Sequence, residues 1–94
     1  MKIKFEDGWI RTEKGFGPLP NLIHRNGKYA LLHIIAHTGS DQKTIPARHI
    51  LVRLDGEESG FINATVLKEE EASFDWRQAR ERLVNQCDRL AEMR

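Results

Sequence analysis

The chain has 94 residues, 39% hydrophobic, 31% charged and 7% aromatic, which fits one small globular domain and excludes two. Fifteen Lys and Arg against fourteen Asp and Glu leave a net charge of +1, too weak a field to attract nucleic acid or membrane in bulk. No apolar run approaches the ~18 residues of a membrane span, the opening residues carry acids (Glu6, Asp7) where a signal peptide would be apolar, and the single cysteine, Cys87, excludes an internal disulfide and a thiolate zinc site. The expectation is a cytoplasmic protein.

Residues 2–5 and 9–12 alternate apolar and polar about Glu6-Asp7-Gly8, which predicts a hairpin or one bulged strand. Residues 15–27 hold three glycines and two prolines and cannot be helix; Asn26-Gly27 is a turn signal. Residues 28–36 are mostly apolar and bounded by turns, so they predict a well-buried strand at the centre of the sheet, with Tyr29, Leu31, His33 and Ile35 on one face and Ala30, Leu32, Ile34 and Ala36 on the other. A polar loop over 37–47, a strand over 49–54, a turn over 55–60 and a strand over 61–67 follow. Glu69-Glu70-Glu71 reads as a solvated linker. From Ser73 the period becomes helical: Trp76, Ala79, Leu83, Cys87, Leu90 and Ala91 share one stripe at 100° per residue, with Ser73 and Asp75 as helix-start residues.

Charge is unevenly placed. Residues 1–53 carry nine basic groups against four acids, residues 54–71 one against six, and residues 72–94 five against four. The basic first half suits a polyanion partner. Enzymatic constellations are nearly absent. His33 and His37, four apart on a strand, stand about 13 Å from each other at ~3.3 Å per residue, too far to share a metal. Gly15-Phe16-Gly17 precedes Pro18 and Pro20, not a phosphate-binding helix. Cys87 falls mid-stripe, where a thiol acts as a small hydrophobe. The residues therefore predict no catalysis, no metal and no cofactor.

Lys14-Gly15-Phe16-Gly17, followed seventeen residues after Phe16 by His33 within Leu31-Leu32-His33-Ile34, is similar to the paired nucleic-acid-binding motifs of the cold-shock domain family. The similarity continues through the strand over 50–54, the turn Asp55-Gly56-Glu57-Glu58-Ser59-Gly60 and Phe61-Ile62-Asn63-Ala64-Thr65-Val66-Leu67, so it spans residues 3–67. It implies a five-stranded OB-type, cold-shock-like β-barrel over residues 1–68; with the linker and the C-terminal amphipathic helix that the residues themselves predict over 69–94, outside the resemblance, the expected chain is mainly β (α+β). The resemblance also implies that His33 faces outward beside Phe16. Where the family repeats an aromatic after Gly-Phe-Gly this chain has Pro18, and Leu31 and Ile34 stand where phenylalanines flank the family's histidine, so the stacking platform is thinned. Gly60-Phe61-Ile62-Asn63-Ala64-Thr65 also resembles the Gly-Tyr-Ile-Asn-Ala-Thr core of KilA-N DNA-binding domains, over these six residues alone.

The functional expectation is a non-enzymatic module for single-stranded RNA or DNA, weak and sequence-tolerant, in which Trp9, Phe16 and His33 stack bases while Arg11, Lys14 and Lys28 meet phosphates, with Arg25 near them in sequence. The competing expectation is a protein-interaction module using an apolar patch of Pro18, Leu31 and Ile35 on the same face. The helix stripe has two sinks, its own barrel or a second copy. A barrel filled by its own strands, and Arg80 inside the apolar arc, favour a homodimer through Trp76, Arg80, Leu83, Cys87 and Leu90, with Arg80 reaching Asp88 or Glu92 of the second chain.

Overall fold

A computed structural model describes residues 2–6, 9–12, 20–38, 41–72 and 75–93. The described strands are β1 (Lys2–Glu6), β2 (Trp9–Thr12), β3 (Asn21–Asn26), β4 (Tyr29–Ile34), β5 (His37–Thr38), β6 (Thr44–Ile45), β7 (Arg48–Glu58) and β8 (Phe61–Glu71), and one helix, α1 (Trp76–Glu92), follows them. Six strands form one antiparallel sheet in the order β2-β1-β8-β7-β4-β3, and β5 and β6 make a separate two-residue ribbon. Three hairpins, β1–β2, β7–β8 and β3–β4, therefore lie side by side. The sheet curls into a half-barrel until its two outermost strands meet, the Ile10 N–H donating to the Pro20 carbonyl at 3.3 Å.

The alternation along β4 decides the layering. Ala30, Leu32 and Ile34 point into the half-barrel with Ile3, Ile10, Ile50, Val52, Leu54 and Ala64, against which Phe5 and Ile62 pack. Leu31, on the opposite face, joins Leu51 of β7 and meets Leu83 and Cys87 of α1, with Ile23, Tyr29, Val84 and Leu90 around them. A strand apolar on both faces needs a layer on each; here the second layer is the chain's own helix.

That placement gives the stripe a sink within the single chain. Leu83 and Cys87, expected to face a second copy, are 1% and 0% exposed within the single chain, and Leu90 packs beside them. The stripe goes to the chain's own sheet because Leu31 and Leu51 give the outer face an apolar strip of its own. Trp76 stays 39% exposed, with the Arg77 and Arg80 guanidinium carbons 5.3 and 4.7 Å from its ring centroid. Arg80 Nε–H donates to His49 within the chain.

Other elements also differ from the sequence reading. The sheet has six strands and not five: the stretch from Asn21, which the glycines and prolines of residues 15–27 only exclude from helix, includes β3. β4 is next to the sheet's end and not at its centre. Residues 55–58 continue β7, and the turn is only Ser59-Gly60, where both residues have positive φ (55° and 84°), the geometry of a two-residue hairpin turn. Glu69-Glu70-Glu71 is not a linker but the end of β8: the three acids stand opposite Ile50, His49 and Arg48, while Glu69 takes Arg48 and Glu70 takes Arg82. Among the described residues no helix is long and apolar enough to cross a membrane.

The turn expected at Asn26-Gly27 is present: Asn26 pairs with Tyr29, and Gly27 opens the two-residue loop at φ +59°. No atom lies within 4 Å of the position a Cβ would take there. The cost of Gly27→Ala is therefore conformational, about 1 kcal/mol for a left-handed alanine, and it should lower the thermal midpoint by about 4–8 °C.

Candidate nucleic-acid interface

The half-barrel has two unlike outer flanks. α1 lies over β3, β4 and β7. On the other flank Ile3 and Ile10 are buried in the core, so alternation turns Lys4 and Arg11 outward, where both are exposed. Lys4 stands directly opposite Arg11, and Lys2, half-buried, pairs with Asn63 of β8. Arg25 is not part of that outward pair: it stands opposite Ala30, on the inner face, with its guanidinium carbon 4.9 Å from the ring centroid of Phe5, which packs against the core. Lys28, in the β3–β4 turn, is exposed, with its ammonium 5.8 Å from the Tyr29 ring.

The meeting of β2 with β3 sets the relation between the two nucleic-acid motifs. Only β3 stands between β2, which holds Arg11, and β4, which holds His33 opposite Asn21. Trp9 is the first residue of β2, opposite Glu6; its side chain, and Lys14 and Phe16 in the connection from β2 to β3, lie outside the described residues. Arg11 and His33 thus sit on strands separated by β3, while Lys28 is in the β3–β4 turn at the other end of β4 from His33. The apolar patch expected from Pro18, Leu31 and Ile35 is not assembled: Leu31 is buried beneath α1, Pro18 lies outside the described residues, and Ile35 alone is exposed.

His33 does face out of the barrel, but toward a polar cluster that the sequence reading did not single out. It is half-buried, 5.1 Å from the ring of His49, its partner across β4 and β7. His49 is 1% exposed; its Nε2 accepts from Arg80 Nε–H at 3.2 Å, and its Nδ1 is buried without a partner. Burial first, and the Arg80 charge second, lower the basicity of both imidazoles, and each histidine's cation would further oppose the other at His49. Next to His49 on β8 stands Glu70, which accepts from Arg82 Nη1 at 2.9 Å and Nη2 at 2.7 Å and lies 3.2 Å from Lys68 Nζ. Mainly through Arg82, that carboxyl is held down at about 2.

At the far end of α1, Asp88 clamps the β3 hairpin. Asn26 Nδ2–H donates to it at 2.8 Å, and His24 Nε2 lies 2.7 Å from the same oxygen. These two contacts keep the carboxyl below its usual range. The neighbouring Cys87 thiol is pushed up by burial and by the Asp88 charge, as befits a packing residue rather than a nucleophile.

Fold and surface together define a small curled antiparallel sheet with a helix on one flank and a basic face on the other. The chain matches no protein-family model, and comparison with curated proteins and with solved structures returned no match.

Proposed function

We propose that this protein is a non-enzymatic binding module for single-stranded nucleic acid, RNA or DNA, weak and tolerant of sequence, of the OB-like kind that the cold-shock resemblance implies. The observation that carries the reading is the division of the outer surface: α1 lies over β3, β4 and β7, so the β1–β2 face, with Lys4 and Arg11 in direct register, is left uncovered by the helix. A basic sheet face supplies the backbone-tracking charge such binding needs. The near approach of β2 and β3 supports the pairing of Arg11 with His33, and the connection bearing Lys14 and Phe16 joins those same strands.

Fluorescence anisotropy with a labelled pyrimidine-rich oligonucleotide tests this. The expected result is a dissociation constant in the micromolar range or weaker, rising steeply as salt is added. No titratable change at about 100 μM protein in low salt, on the scale where even non-specific binders respond, would defeat the reading.

A further inference from the structure

We propose that α1 is an acid-released lid whose N-terminal half is latched by neutral His49 and whose C-terminal half stays hinged on Asp88. The latch is defined by hydrogen-bond direction. Arg80 Nε can only donate, so His49 Nε2 must be an unprotonated acceptor, and the ring's remaining hydrogen sits on Nδ1, buried and unpartnered. A second proton on this ring removes the acceptor and sets a cation against a guanidinium inside a site that is 1% exposed.

The groups around His49 offset that charge only in part, and burial with the neighbouring cations outweighs what Glu70 returns. From β4 the neighbour is His33, itself a base that gains charge on acidification. From α1 it is Arg80, whose guanidinium carbon also lies 4.7 Å from the Trp76 ring centroid. On its own strand it is Arg48, engaged with Glu69. Among the described residues the acid facing it is Glu70 of β8, whose charge favours a protonated His49 but is shared with Arg82, from which it accepts two hydrogen bonds, and with Lys68 beside it. With its carboxyl held at about 2, Glu70 keeps its charge through the acidic range and does not itself titrate there.

The two ends of the helix are held differently. Near Arg80, protonation adds repulsion. At the other end Asp88 accepts from Asn26 Nδ2–H at 2.8 Å and lies 2.7 Å from His24 Nε2, away from the His33–His49 pair. Both His33 and His49 bind protons less readily in the folded chain than the ordinary imidazole value of 6.5. The opened state therefore takes up protons, so closure is fully favoured above pH 6.5 and is lost as pH falls below it, with the proton on the buried latch His49 driving the release. What lifts is the half that carries Ala79 and Leu83 on the outer sheet face.

Amide hydrogen exchange, corrected for intrinsic rates, reads the two halves separately. Between about pH 7.5 and about pH 5, protection over residues 76–83 should fall at least about tenfold relative to residues 84–92 and to β4. His49→Gln keeps a neutral acceptor for Arg80 and cannot titrate, so in that variant the difference should vanish. Should that variant not fold, the imidazole titrations of the unaltered chain decide: His49 and His33 must titrate below 6.5 together with the loss of protection. Equal response of both halves, no response, an acid effect that survives His49→Gln, or imidazoles that titrate at or above 6.5 in the folded chain would each overturn the proposal.

Discussion

Leu83→Ala should lower the stability of the chain by about 3 kcal/mol, within the ~2–5 kcal/mol range for truncating a buried leucine. Leu83 is 1% exposed and sits among Leu31, Leu51 and Cys87, so removing its branched end leaves a void between helix and sheet that a two-layer contact cannot fill. For a domain of this size that corresponds to a fall in thermal midpoint of about 12–24 °C. Urea unfolding followed at two protein concentrations measures it and also tests where the stripe is buried. Because the helix docks on its own sheet, the midpoints of parent and variant should not depend on concentration. A midpoint that rises with concentration would mean that the stripe is covered by a second copy.

The second large effect is on binding. Lys4→Glu combined with Arg11→Glu should weaken oligonucleotide binding about 50-fold at about 50 mM salt. Each phosphate neutralised on a single strand contributes about 0.7 to the slope of log affinity against log salt, so losing two contacts flattens that slope by about 1.4. Both residues are exposed and alternate with the buried Ile3 and Ile10, so the fold should tolerate the change within about 0.5 kcal/mol. Anisotropy titrations at four salt concentrations, with thermal melts as the folding control, give both numbers. An unchanged slope would place any binding site elsewhere on the chain.

Much of the local structure was legible because it depends on near neighbours. The β1–β2 hairpin, the turn at Gly27, the alternation along β4 and the helical stripe from Trp76 to Leu90 all follow from periods of two and 3.6 and from a glycine that can take positive φ. β3 was missed because Pro20 and Gly27 bracket a short run with no fully buried residue, whose strand state comes from pairing with β4. Glu69-Glu70-Glu71 was missed for a related reason. Three adjacent acids have no strand preference, and it is β7, with Arg48 and Arg82, that makes their extended pairing favourable.

The site divides in the same way. Lys4 and Arg11 alternate with buried isoleucines, so their outward direction could be read from the chain. His49 could not be read so: a histidine at the head of an apolar run looks like a strand end, and only the crossing of β4, β7 and α1 turns it into a buried acceptor for Arg80. One available signal was passed over. β4 is apolar on both faces and β7 nearly so, and a sheet with two apolar faces requires a covering layer, for which this chain holds a matching amphipathic helix. Composition and periodicity by themselves determined that this protein is a small, mainly β chain closed by one amphipathic helix, since those properties follow from which side chains are apolar and how often they recur. Only the tertiary structure decided which face of β4 became the core, that the stripe is spent on the chain's own sheet, and that His33 meets His49, because each of these depends on groups far apart in the chain being brought together by the curl of the sheet.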